Sequence, residues 1–154
     1  VEVIAALSLL AVLAAAAGML AANREGARER TAALAGAPSA MDALSAALRE
    51  DSPSALSAKV AGEARAFLWR DAWRAGAPWC MAFAGDLPDA VDPSGPLFVA
   101  ELSNSRLRAD GRAVEFTVAL GWLTPVPGET RAALLARATK AAELCRYPAI
   151  VVGP

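Results

Sequence analysis

Few side chains in this chain could do chemistry, and their types limit what that chemistry is. The chain has 154 residues and no histidine, which removes the commonest general base and metal ligand. Its cysteines, Cys80 and Cys145, lie too far apart in sequence to make a local redox or zinc motif. Asp86, Asp89 and Asp92 could offer oxygens to calcium, but their spacing fits no EF-hand loop, and solvated turn residues are the better reading. Ser103 and Ser105 have no base near them in sequence, and the two lysines, Lys59 and Lys140, fall on expected solvated helix faces. There is no glycine-rich phosphate loop and no paired-carboxylate constellation. The residues therefore point away from an enzyme. A net charge of -1 leaves no electrostatic footprint for nucleic acid, and no cofactor is implied.

The remaining chemical group is Glu2. It heads a run of twenty uncharged residues, Val3 to Ala22, dominated by Ala, Leu, Val and Ile. As a helix this run is about 30 Å long, the thickness of a bilayer core, which predicts a membrane-spanning helix. The competing reading is a cleaved secretory signal, which calls for a basic start and a shorter apolar stretch. A carboxylate at the edge of an apolar helix is costly unless it has a partner or reaches water, so Glu2 is a functional candidate by default. The elements around it set the rest. NREGARERTAALA, Asn23 to Ala35, carries good helix formers, with Glu25 and Arg28 spaced to pair on one face, and Gly36 and Pro38 predict the stop. Arg24, Arg28 and Arg30 would place that end in the cytoplasm by the positive-inside rule, whereas the two cysteines favour the outside.

Beyond the helix, Ser39-Ala40-Met41-Asp42 reads as a capping box opening a short helix to about Glu50. Ser52 followed by Pro53 reads as a second N-cap, with a helix running to about Ala75 on a stripe of Leu56, Val60, Ala64, Phe67 and Leu68. Trp69, Trp73 and Trp79 cluster near its end and are expected to pack between layers. Residues 84–96 are a proline- and glycine-rich loop. Asp110-Gly111 is a two-residue hairpin signal, followed by strict alternation of Val114, Phe116, Val118, Leu120 and Trp122. In that register Arg106 faces Glu115 and Leu107 faces Val114. Phe98, Ala100 and Leu102 have the opposite parity from Leu107, which predicts a bulge near Ser103-Asn104-Ser105. Thr130 to Arg146 reads as a helix and Tyr147 to Val152 as a short strand.

VEVIAALSLLAVLAAAAG resembles the N-terminal segment of type IV filament subunits: pilins, pseudopilins and the minor pilins of tight-adherence systems. REGAR and AALAGA resemble the segment after the helix in tight-adherence minor pilins. The resemblance implies that prepilin peptidase removes a short basic leader from a precursor, that a few residues of the mature chain precede Val1, and that Glu2 pairs with the free N-terminal amine of a neighbouring subunit. It also implies an α+β fold in which a long N-terminal hydrophobic helix packs on a small antiparallel sheet with additional helices. Residues 1–22 would be the transmembrane and filament-core helix, and residues 23–154 an extracytoplasmic domain continuous with it. The expected function is a structural subunit of a type IV filament or a related secretion or adhesion machine. It would be held in the inner membrane as a single pass before assembly and then packed against copies of itself or other pilin-like subunits in an extracellular or periplasmic filament. The alternative is a single-pass anchored binding or assembly module that never polymerises. With the domain outside the membrane, Cys80 and Cys145 are expected to form a disulfide, the other possibility being two buried free thiols.

Overall fold

The hairpin of strands β4 (Leu97–Leu107) and β5 (Val114–Leu123) is the frame on which the rest is assembled. The computed structural model describes residues 2–61, 64–71 and 79–153, and within them the side chains of all but residues 2–9 and 149. Strand β4 pairs antiparallel with β5, with Arg106 opposite Glu115 and Leu107 opposite Val114, as the alternation predicts. The register slips between Ser103 and Arg106, where Asn104 adopts φ 56°, so the parity change between the two apolar sets is absorbed at the expected bulge. The connection is longer than the two-residue turn anticipated. The Arg108 amide still bonds the Ala113 carbonyl at 2.9 Å, and Gly111, the one loop residue with positive φ, donates to the Arg108 carbonyl. Arg106 and Glu115 are opposite one another but make no ion pair.

Strand β1 (Ala64–Trp69) pairs with β4, β2 (Cys80–Phe83) with β1, and β7 (Ala142–Val152) with β5, giving a five-stranded antiparallel sheet in the order β2-β1-β4-β5-β7. Strand β1 occupies a stretch that the sequence spacing assigned to a helix. Its run of Ala66, Phe67, Leu68 and Trp69 is buried on both faces of the sheet, and a short, wholly apolar run fits a helix stripe and an interior strand equally well. The helix before it, α2 (Pro53–Lys59), starts as expected, with Ser52 accepting from the Ala55 amide, but ends after seven residues. The helix expected over Thr130 to Arg146 is likewise shorter: α3 (Arg131–Ala138) is capped by Thr130, and the chain then enters β7. The 84–96 loop contributes two residues, β3 (Ala90–Val91), that pair with β6 (Glu129–Thr130).

Helix α1 runs unbroken from Glu2 to Leu48 and passes through Pro38, where a stop was expected. Ala33, Ala37, Ala40, Met41, Leu44 and Leu48 form one buried stripe at three- and four-residue spacing on both sides of the proline. Burial of that stripe offsets the roughly 3 kcal/mol that an interior proline costs. Gly36 lets the helix approach closely: a Cβ there would lie 3.2 Å from the Phe98 ring. Next to it, the Trp79 indole N–H donates to Ser39 Oγ at 2.8 Å, and Arg70 lies over the Trp79 ring at 4.8 Å.

Two cores result. On one face of the sheet, the C-terminal half of α1 with Leu56 and Val60 covers Phe98, Leu102, Phe116, Val118 and Leu120. On the other, Leu134 and Ala138 of α3 and Leu87 and Val91 of the loop cover Phe67, Trp69, Val99 and Leu123. The outer strand β7 carries Pro148 and two register shifts against β5. The α+β class, the long N-terminal helix and the antiparallel sheet are therefore present.

Candidate assembly surface

The surface that stands out is the free half of α1. Every described side chain from Leu10 to Arg28 is exposed, and the first buried residue of the helix is Ala33. Leu10, Val12, Leu13, Met19 and Leu20 are 58–69% exposed. No polar residue interrupts Leu10 to Ala22, so the apolar surface runs around the whole circumference. A helix that is apolar all round is stable only when surrounded, whereas a one-sided stripe needs a single neighbour. Above the apolar stretch lies a charged belt of Arg24, Glu25, Arg28, Glu29 and Arg30. Glu29 accepts a hydrogen bond from Thr124 Oγ1 at 3.0 Å, tying the belt to the sheet. Among the described residues the other four make no ion pair or side-chain hydrogen bond, so the expected Glu25–Arg28 pair does not form.

This geometry corrects the membrane expectation. Among the described residues no helix is long and apolar enough to cross a membrane. The apolar stretch with described side chains, Leu10 to Ala22, is about 20 Å of helix, short of the roughly 30 Å of a bilayer core, and the charged belt follows directly. A single-pass inner-membrane location is not supported. Glu2 begins α1, and its side chain lies outside the described residues.

The disulfide expectation is corrected as well. Cys80 and Cys145 are free thiols on β2 and β7, the two outer strands of the sheet, four strand spacings or about 19 Å apart. A disulfide needs Cα atoms within about 7 Å. The two residues also belong to opposite faces: Cys80 packs with Trp69 and its neighbours, and Cys145 with the core under α1. Cys145 lies beside Tyr147, and its hydrogen bond, together with burial and the charges of Cys145 and Asp42, pushes the phenol above its usual value. Thiol labelling of denatured, unreduced protein is expected to count two free thiols per chain, and a count of none would contradict the strand order.

The other chemical candidates do not converge. Among the described residues no three His, Cys, Asp or Glu side chains, Asp86, Asp89 and Asp92 included, are close enough to hold a metal ion. Trp69 is in the core, Trp79 packs edge-to-face on Phe98 with ring centroids 5.6 Å apart, and Trp73 lies outside the described residues. Lys59 pairs with Asp51 at 2.8 Å and lies over the Phe83 ring. Ser105 donates to the Val60 carbonyl. A groove of about 480 Å³ on the open half of the second sheet face is lined by Arg65, Glu101, Ser103, Ala119 and Arg146. Each arginine pairs through a terminal nitrogen, Arg65 with Glu101 and Arg146 with Glu143, each at 2.8 Å, and Arg65 Nε is buried without a hydrogen-bond partner among the described residues. Sequence reasoning missed these pairs because each joins residues brought together by strand register or by the bend of β7. No family model, no curated protein and no solved structure matches the chain.

Proposed function

We propose that the chain is a structural, non-catalytic subunit of a type IV filament or a related secretion or adhesion machine, of the pilin, minor pilin or pseudopilin kind. The carrying observation is the free half of α1, an arm with thirteen consecutive exposed, uncharged residues, Leu10 to Ala22, continuous with the half that packs on the sheet to form the head. Contiguous apolar surface of that extent is not left to water in a stable soluble monomer. Because it covers the full circumference, several neighbours must surround it. Arms of further copies, or of related subunits, supply a matching surface, and their bundle would form the core of the assembly with the sheet domains outside. The resemblance of residues 1–18 to filament subunits supports the same reading and adds a precursor processed by prepilin peptidase.

The test uses the full chain. On removal of detergent the wild type is expected to form polymers that sediment and are visible by electron microscopy. Leu13→Arg, which places a cation in the middle of the apolar stretch, is expected to cut the polymerised fraction at least tenfold without moving the melting temperature of the head. A wild-type chain that stays monomeric under these conditions would rule out assembly through copies of itself.

A further inference from the structure

We infer that the open half of the second sheet face binds a small free zwitterion, whose ammonium meets Glu101 and whose carboxylate meets Arg146 across a floor formed by Ala119. The site is independent of the assembly reading. Strand register builds it: Arg65, Glu101, Ala119 and Arg146 are successive cross-strand partners on β1, β4, β5 and β7, so they form one row on one face. The neighbouring row of Phe67 and Val99 is covered by α3 and the loop, whereas this row is open and lines the groove of about 480 Å³. That volume lies in the range of small-molecule sites. Along the row the order is cation, anion, gap, cation. Glu101 and Arg146 stand two strand spacings apart, about 10 Å between Cα atoms, and make no ion pair with one another. The gap exists because Ala119 ends at its Cβ. Beside it on the same face Gly121 has none, and a Cβ there would lie 3.1 Å from the Ala142 carbonyl oxygen.

The two outer ion pairs of the row are made differently. Arg146 grips Glu143 side-on: Nε donates to one carboxylate oxygen at 3.2 Å and Nη2 to the other at 2.8 Å, which leaves Nη1 unspent. Arg65 holds Glu101 end-on, through Nη2 to Oε1 alone at 2.8 Å, and its buried Nε has no acceptor among the described residues. A buried donor without an acceptor is unfavourable. A side-on grip like that of Arg146 would satisfy Nε but would take both Glu101 oxygens. The end-on grip keeps Oε2 open on a carboxylate that is 53% exposed. Ser103 lines the same groove, and its hydroxyl has no partner among the described residues. A simple anion would be drawn to Arg146 and repelled by Glu101, and a simple cation the reverse. A ligand that carries both charges is attracted at both ends. The two walls already feel one another: the hydrogen bond and charge of Glu143, and beyond them the charge of Glu101, raise the Arg146 pKa.

The experiment titrates the isotope-labelled full chain in detergent with ε-aminocaproate, caproate and hexylamine, and follows the amide NMR shifts. ε-Aminocaproate is expected to give saturable shifts at Glu101, Ala119 and Arg146, and the two single-charge probes to bind at least tenfold more weakly. Ala119→Leu fills the floor without touching a charge, and is expected to weaken ε-aminocaproate binding at least tenfold. Glu101→Gln removes the partner of the ammonium, and is expected to make caproate bind at least as tightly as ε-aminocaproate. An unchanged head melting temperature separates loss of the site from loss of fold, and if Ala119→Leu lowers it, Glu101→Gln decides. The inference is overturned if ε-aminocaproate binds no more tightly than either single-charge probe, if the saturable shifts fall elsewhere, or if a folded Ala119→Leu chain binds like the wild type. None of these results bears on whether the chain polymerises.

Discussion

A chain beginning at Asn23 is expected to fold with the full stability of the head, and a chain beginning at Asp51 is expected not to fold at all. The difference lies in where α1 becomes part of the core. From Leu10 to Arg28 none of its side chains is buried, so removing residues 1–22 takes away no described core contact. Removing α1 entirely strips Ala33, Ala37, Ala40, Met41, Leu44 and Leu48 and uncovers Phe98, Phe116, Val118 and Leu120 on the sheet. Burying each of Met41, Leu44 and Leu48 is worth roughly 1.5–3 kcal/mol, before counting the exposed sheet face. The sum is comparable to the whole stability of a domain this size, about 5–15 kcal/mol. Circular dichroism with urea unfolding distinguishes the two chains. An unfolded or aggregated Asn23 chain would mean that the arm is a core element of the head and would remove the argument for a multi-copy bundle.

The second large effect is expected at Arg137. Glu129 is the one charged residue in the buried set of the described chain, and its side chain is 7% exposed. Arg137 Nη1 bonds both of its carboxylate oxygens at 2.8 Å, and Nη2 donates to the Thr124 carbonyl at 2.6 Å. Arg137→Ala therefore strands a desolvated carboxylate and a carbonyl together. Breaking a buried pair costs about 3–5 kcal/mol, and because Arg137 is itself partly in water the expected loss is about 2–3 kcal/mol in urea unfolding. The double variant Glu129→Gln with Arg137→Met is expected to lose less than Arg137→Ala alone, since no charge is left without its partner. Equal losses would assign the effect to packing. Arg137 also joins α3 to the connection after β5, so the 84–96 loop, clamped by Arg131 through the Ala84 and Gly85 carbonyls, is expected to become more mobile with it.

The hairpin was legible in the sequence down to its register because period-two alternation and a turn signal agree there, and the parity conflict between Phe98 and Leu107 located the bulge. Local signals also placed the Ser52 N-cap and the start of α3 near Thr130, whereas the capping box read at Ser39 lies inside α1. What could not be read locally was where those helices stop. Ala64 to Trp69 and Ala142 to Val152 contain residues at helical spacing as well as strand spacing, and their choice is made by β4 and β5, which offer unpaired edges to either side. Pro38 is the reverse case: its local rule is sound and is outweighed by a stripe of contacts with strands far along the chain. The cysteines misled for the same reason. Their separation in sequence is compatible with a bridge, and only the strand order sends them to opposite edges. The exposed arm was legible as an apolar run, whereas its full exposure and the unpaired belt above it are properties of the folded chain.

The irregularity of β7 bears on how such molecules avoid sticking in the wrong way. An eleven-residue outer strand is a template on which a second sheet could grow, the usual route to amyloid-like clumping. Pro148 has no amide hydrogen to offer an incoming strand, and the two register shifts twist the rim away from the straight geometry that such growth requires. The opposite rim, β2, is four residues long, too short to seed a ladder. Adhesiveness is thereby confined to one end of the molecule. Under the proposed assembly, the heads would stay inert to one another while the arms pack together.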